Sequence, residues 1–212
     1  EAARKWFEQN WQAFDRRYTS EYTRAMETAG HLGLPGQWFV DFYLRERDRG
    51  SLDIVRDDVF KERFHEEAER RERDPFYWAP PSGESLATVC LRIERVLNTL
   101  HRECDNKNVI IVCHGEVIWA FRVRLERMTE GRFLELDRSQ DPMDNIHNCQ
   151  ILHYTRDDPE TGQNSQRLTH LRSIWPYDLS KSSNTWQPIV RPTFTSESLL
   201  ELVSGHPRQV ND

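Results

Sequence analysis

Val109-Ile110-Ile111-Val112-Cys113-His114-Gly115-Glu116 sets five consecutive apolar residues directly before a His-Gly pair. A short, mostly β-branched run of this kind reads as a strand buried on both faces, as in a largely parallel sheet. Residues 104–108, Cys-Asp-Asn-Lys-Asn, read as the turn leading into it. Glu116 to Met128 reads as the following helix, with Val117, Ile118, Phe121, Leu125 and Met128 on one face. The unit is helix, turn, buried strand, His-Gly, helix, and it places His114 at the carboxyl end of a parallel strand, where open α/β sheets bind ligands. Gly115 lets another group approach the backbone closely. The helix behind it offers unpaired N–H groups and the positive end of its dipole to an anion. An imidazole beside such a site points to phosphate chemistry. Taken alone, His-Gly is a weak signal, because a histidine after a strand is more often structural or exposed, so the weight must come from the rest of the chain.

The bulk numbers narrow the classes. A chain of 212 residues suits one domain with a sizeable core, and 37% hydrophobic with 30% charged residues suits a globular protein with a heavily charged surface. A net charge of −6 argues against nucleic acid or an anionic membrane as the main partner, while leaving room for a small phosphorylated ligand in a locally positive pocket. No apolar run approaches the ~18 residues of a membrane span, and no signal-peptide pattern opens the chain. Cys90, Cys104, Cys113 and Cys149 are widely spaced, which reads as reduced thiols in a cytoplasmic protein. The chain opens at Glu1 within a helical pattern, and the expectation is that its natural beginning lies upstream.

Around the central unit, Glu1 to Phe14 is spaced for a helix packed on the sheet. Ser20 is a good N-cap for a second helix over Glu21 to Ala29, with Arg24 about one turn in. Trp38 to Tyr43 is a candidate short strand, followed by three arginines and two carboxylates in the five positions Arg45 to Arg49, normally a solvated turn. Residues 52–80 form a charged insertion, a candidate lid, with an exposed helix at Arg63 to Arg71. Ser82-Gly83-Glu84-Ser85 starts a helix running to about Glu103, whose inner face is Leu86, Val89, Cys90, Ile93, Val96, Leu97 and Leu100. Two late strands are expected at Cys149 to Tyr154 and Leu168 to Arg172, turning at Gly162. Residues 176–212 read as a surface-hugging tail, with a helix only at Ser196 to Val203.

Four separated pieces line up into a resemblance. Ser20-x-x-x-Arg24-Ala25-x-x-Thr28-Ala29 resembles the Ser-x-x-x-Arg-Ala-x-x-Thr-Ala segment of the histidine phosphatase superfamily, the phosphoglycerate-mutase-like proteins. Leu44-Arg45-Glu46-x-x-x-Gly50 resembles the segment carrying that family's proton-donating glutamate, and Pro81-Ser82-Gly83-Glu84-Ser85 with Arg92 beyond it resembles its Pro-x-Gly-Glu-Ser element. Val109 to Gly115 resembles the strand that holds its second active-site histidine. Each piece is weak alone; their order and spacing across roughly residues 15 to 125 make the assignment strong. The family's nucleophile, a histidine in an Arg-His-Gly motif, is not found in the sequence. The expectation is that its strand and loop were lost from the chain, because a sheet without its central strand leaves neighbouring backbone groups unpaired.

The resemblance implies an α/β fold, a three-layer α/β/α sandwich with a mostly parallel central sheet, formed by residues 1–175. It implies phosphoryl transfer through a phosphohistidine, with no metal and no cofactor. The transferring phosphoryl group develops charge on its oxygens and needs fixed positive partners. Arg24 supplies a planar bidentate clamp. His114 and the amides after Gly115 hold a second oxygen, and Glu46 is the general acid for the leaving alkoxide. Arg47 and Arg49 are candidate contacts to a second anionic group, with a solvent-facing role equally open. Arg49 stands where mutases of the family carry Tyr, and the charged 52–80 segment is unlike their substrate lid. The expectation is therefore a phosphatase of a small phosphorylated metabolite, ahead of a mutase or a pseudophosphatase that only binds, with a homodimer left open. A metal site at His147-x-Cys149-x-x-x-His153 is the remaining rival, weakened by the absence of an obvious fourth ligand. A serine or cysteine hydrolase has no motif in its favour, and Cys113 reads as buried and inert.

Overall fold

The computed structural model describes residues 1–11 and 13–205. Strands β1 (Arg16–Ser20), β2 (Phe39–Asp41) and β3 (Val109–Val112) form an all-parallel sheet with β1 in the middle. Tyr18 is opposite Phe39 on one side and Ile111 on the other, so the central strand is bonded along both edges. The strand is invisible to a search for apolar runs because its sequence is Arg-Arg-Tyr-Thr-Ser. Ser20 was expected to cap a helix; instead it ends this strand with no exposed surface, and the backbone ladder on both sides overrides the local capping preference. Helix α2 (Thr23–Leu32) starts two residues later, with Tyr22 at its N-cap.

Strand β3 lies at the edge of this sheet, and of its four residues only Ile110 is buried, the others being half-buried. The expectation of a strand fully buried on both faces is therefore too strong, although both faces are packed. Ile110 and Val112 join Trp6 and Phe7 of α1 (Ala2–Asn10) and Leu32 of α2. Val109 and Ile111 join the cluster made by α5 (Leu86–Glu103) and α6 (Gly115–Glu126). Leu86, Val89 and Ile93 of α5 and Val117 and Ala120 of α6 are fully enclosed there. The buried surface of α6 is broader than the expected stripe, because Trp119 and Val123 are also covered; Trp119 meets Phe133 of α7 (Glu130–Asp137) edge-on at 5.5 Å. Helix α5 begins where expected, with the Ser85 hydroxyl accepting from the Thr88 N–H at 3.0 Å.

The charged insertion carries α3 (Asp57–Arg63) and α4 (His65–Arg73) and closes over its own small core of Leu52, Phe60, Ala68 and Trp78. The two late strands, β4 (Ile151–Thr155) and β5 (His170–Ile174), pair antiparallel in a second sheet instead of extending the parallel one. A third strand, β6 (Gln187–Pro188), joins β5 from within the segment expected to be a tail. Helix α8 (Ser196–Ser204) follows, held by a capping box between Thr195 and Ser198; the tail's residues 206–212 lie outside the described residues. Among the described residues, no helix is long and apolar enough to cross a membrane.

Candidate active site

Parallel pairing of β1 with β3 puts Thr19 opposite Val112, so the two carboxyl ends, and with them Ser20 and His114, emerge side by side. His114 is the N-cap of α6, in extended backbone conformation, and only 6% exposed. Arg24, in the first turn of α2, donates its Nε–H to His114 Nδ1 at 3.2 Å. A guanidinium only donates, so Nδ1 must be the acceptor and the ring proton sits on Nε2. Nε2–H in turn donates to Ser20 Oγ at 2.9 Å, and Ser20 Oγ also accepts from the Tyr22 N–H at 3.2 Å. Burial first, and then the charges of Arg24 and Arg92, push the imidazole down to about 4. At neutral pH His114 is an uncharged ring with one tautomer, set by Arg24. Tyr22 lies edge-on to it at 5.3 Å, and the Arg24 guanidinium sits 5.1 Å from the centre of the Tyr22 ring.

This arrangement refines the expectation for His114. Both ring nitrogens are occupied by protein groups, so within the fold the ring orients the Arg24 guanidinium. Gly115 opens α6, whose first turn leaves amide N–H groups without intrahelical partners. A Cβ at Gly115 would meet nothing within 4 Å, so the space in front of that turn is open and the protein's own packing does not demand the glycine.

Glu46 follows a short 3-10 turn (Phe42–Leu44), half-buried, with Oε1 accepting from the Arg47 N–H at 3.0 Å. Burial raises its carboxyl above the ordinary range and the nearby charge of Glu116 adds to this, while the Arg47 amide and Arg24 pull the other way. The charge of Arg24 thus reaches Glu46. Arg47 is neither a solvated arginine nor a free one. Its Nε donates to the Glu84 carbonyl at 2.8 Å and its Nη2 to the Trp78 carbonyl at 2.9 Å, and its Nη1 stands 3.7 Å from Glu116 Oε1. Arg49 is exposed at the rim of the same cavity, a hollow of about 420 Å³ that Glu46, Arg71 and Trp78 also line.

The Glu46 loop is fastened from below. Arg92 on α5 holds Glu84 with two bonds of 2.9 and 3.0 Å and donates to the Tyr43 carbonyl. Glu84 also accepts from the Asp48 N–H at 3.0 Å. Gly50, at φ +53, lies against the backbone of residues 81–83, where a side chain would collide. The loop bearing Glu46 is thereby locked to the start of α5.

Among the described residues, no group of three His, Cys, Asp or Glu side chains could hold a metal. His147 stacks on Trp175 at 4.3 Å, His153 points its ring at Trp11 and Trp186, and Cys149 is exposed in a left-handed turn, so the three do not converge. The Cys113 thiol is pushed up to about 12 by burial, which keeps it protonated and unreactive. Sequence reasoning missed Ser20 as a partner of His114, and it missed Tyr22, Glu116 and Arg71. Ser20 became legible only once Arg16–Ser20 was known to be the strand beside β3.

Solved structures share this fold. An α-ribazole phosphatase from Shigella flexneri superposes with a TM-score of 0.59 at 20% identity, covering 79% of each chain. A mycobacterial glucosyl-3-phosphoglycerate phosphatase, in complex with inorganic phosphate, superposes with a TM-score of 0.57 at 18% identity, covering 89% of this chain and 81% of that one. These likenesses concern an α/β fold with a parallel three-stranded sheet, at whose carboxyl edge Ser20, His114 and Arg24 meet. The chain belongs to the histidine phosphatase superfamily (branch 1), whose family pattern it matches over residues 1–161. It is 34% identical over 102 residues to the 6-phosphofructo-2-kinase/fructose-2,6-bisphosphatase of Gallus gallus; the match covers 48% of this chain and 20% of that protein's length.

Proposed function

We propose that this protein is a metal-independent phosphatase acting on a small phosphorylated metabolite through a phosphohistidine intermediate. The observation that carries the reading is the pairing of Arg24 with neutral His114 at the adjoining ends of β1 and β3, with the raised carboxyl of Glu46, from the loop after β2, within reach of the Arg24 charge. Arg24 clamps the phosphoryl oxygens, held in place by His114, and the amides from Gly115 onward meet a further oxygen. As the P–O bond breaks and a P–N bond forms to an imidazole, protonated Glu46 gives its proton to the leaving oxygen. Water then attacks phosphorus, the P–N bond breaks, and the Glu46 carboxylate takes the water's proton. The accepting imidazole is not assigned to any residue of this sequence, which holds no Arg-His-Gly. In a mutase of the phosphoglycerate type, the same intermediate would pass its phosphoryl group to a second acceptor.

Helices α1 and α2 pack against one set of strand side chains and α5 and α6 against the other, which supports a three-layer α/β/α sandwich. Residues 1–175 are taken as its domain and 176–212 as an appended segment. The occupation of both nitrogens of His114 by protein groups favours a second reading, a pseudophosphatase that binds phosphorylated ligands without turnover. Phosphate release from p-nitrophenyl phosphate by the natural full-length protein, in the presence of a chelator, separates the two. Release that collapses in His114→Ala supports the phosphatase. A folded protein that binds inorganic phosphate but releases none supports the binding module.

A further inference from the structure

Glu116 follows the His-Gly pair at the second position of α6, with 42% of its side chain exposed. An acid there gains from the positive end of the helix dipole, whatever lies around it. Its surroundings give it a second role. Its Oε1 stands 3.7 Å from Nη1 of Arg47, and the backbone N–H of Arg47 donates to Glu46 Oε1 at 3.0 Å, so the two carboxyl groups meet at the two ends of one residue. The carbonyls of Glu84 and Trp78 fix the Arg47 guanidinium, which holds that side of the contact still. Both glutamates line the hollow of about 420 Å³, with Arg49 and Arg71. The Glu46 carboxyl is faced by Arg24 from α2, by the Arg47 amide from its own loop, by Glu116 from α6, and by Cys113 after β3, a thiol that burial keeps protonated. Of these groups Glu116 alone carries a negative charge. It acts on Glu46 in two opposite senses: its amide N–H favours the ionised carboxyl and its side-chain charge disfavours it. Two carboxyl groups in one site do not ionise independently. Glu116, exposed and beside Arg47, carries the charge, and Glu46, half-buried, keeps the proton.

We propose that Glu116 is a positioning residue for the proton donor: its carboxylate keeps Glu46 protonated and so extends phosphate release towards alkaline pH. The inference rests on the phosphatase reading for the task of Glu46. The same carboxylate stands beside the first-turn amides of α6, where it opposes an incoming anion, so it weakens ground-state binding while it keeps the donor loaded. The two effects separate in kinetics, since the first moves KM and the second moves the pH profile.

Glu116→Gln tests this, because it keeps the amide N–H and the size of the side chain and removes only the charge. Carboxyl-carbon NMR of the full chain, with the Glu46 signal identified by its loss in Glu46→Gln, should show Glu46 titrating at lower pH in Glu116→Gln than in the parent. Release from glycerol 3-phosphate should then be about three- to tenfold slower on the alkaline limb, with the acid plateau unchanged and KM lower. Glu116→Asp, which keeps the charge, should restore most of the alkaline limb. A Glu46 titration that is the same in the parent and in Glu116→Gln overturns the proposal, as does a rate lost equally at every pH, the mark of a merely structural role. A shifted titration with an unmoved alkaline limb refutes the link to release. A shifted titration in a protein that releases no phosphate would uphold the control of Glu46 by Glu116 and refute the phosphatase reading. Far-UV circular dichroism of each variant confirms that it is folded.

Discussion

Replacing Arg92 with leucine should loosen the machinery without touching any group that meets substrate. Arg92 gives both Glu84 oxygens a donor and caps the Tyr43 carbonyl, with the two side chains 15% and 22% exposed. Exposed pairs of this kind contribute about 0–1 kcal/mol, whereas breaking a fully buried pair costs about 3–5 kcal/mol. The half-buried setting here falls between, and Glu84 keeps the Asp48 N–H. Arg92→Leu should therefore cost about 2–3 kcal/mol, lowering the melting temperature by about 5–10 °C for a domain of this size. Urea unfolding monitored by tryptophan fluorescence measures the loss, and a cycle with Glu84→Gln isolates the coupling. Because the pair also fastens the Glu46 loop, phosphate release should fall about 10–100-fold even at temperatures where the variant is fully folded. A cost under about 0.5 kcal/mol, or full activity in the folded variant, would show that the loop does not depend on the strut.

His114→Ala should lower phosphate release by orders of magnitude with the fold retained, as read by release assays alongside circular dichroism. Glu46→Gln should slow alkyl phosphates by about 10²–10⁴-fold and p-nitrophenyl phosphate far less, because a good leaving group does not need the proton; equal losses on both would exclude a general acid. On the proposed mechanism protonated Glu46 is the working form, so release of an alkyl phosphate should decline as pH rises through its elevated pKa. Stability should respond to pH through His114 and His153, both lowered to about 4, in each case mainly by burial. The unfolded rings take up protons near pH 6.5 while the folded ones stay neutral, so stability present above that point is lost as pH falls towards 4. The expected loss is about 1.4 kcal/mol per pH unit per ring, and denaturant titrations of His153→Phe should show a shallower fall than the parent.

The unit around His114 was legible because its information is local: an apolar run, a histidine at its end, a glycine, and a helix with a clear apolar face. Ser85 as the start of α5 was legible for the same reason. Strand β1 was not, since Arg-Arg-Tyr-Thr-Ser is made a strand by neighbours more than 15 and 80 residues away, and these pair with its backbone rather than its side chains. Reading Ser20 as a helix cap followed from that omission, and the partnership of Ser20 with His114 was lost with it. The late strands were recognisable from their β-branched and aromatic content, but nothing in their pattern distinguishes a second antiparallel sheet from an extension of the first.

Arg47 shows where a correct charge leads to an incomplete role. Its position beside Glu46 marked it as close to the chemistry, yet its hydrogen bonds run to the carbonyls of Trp78 and Glu84, 31 and 37 residues away. Carbonyls bear no sequence signature, so the residue's structural duty could not be read in advance. The same bonds make the residue useful: a guanidinium fixed by backbone at 12% exposure cannot be neutralised by simply swinging into water. Its charge is thus a constant feature of the site, as is that of Arg24, tied to the imidazole of His114. Glu46 accepts from the Arg47 amide and feels the charge of Arg24, while burial raises its carboxyl, and a raised carboxyl is what the proposed chemistry requires. The Arg47 amide and the charge of Arg24 favour the ionised form, so it is burial, with the charge of Glu116 behind it, that raises the carboxyl towards the range of a proton donor.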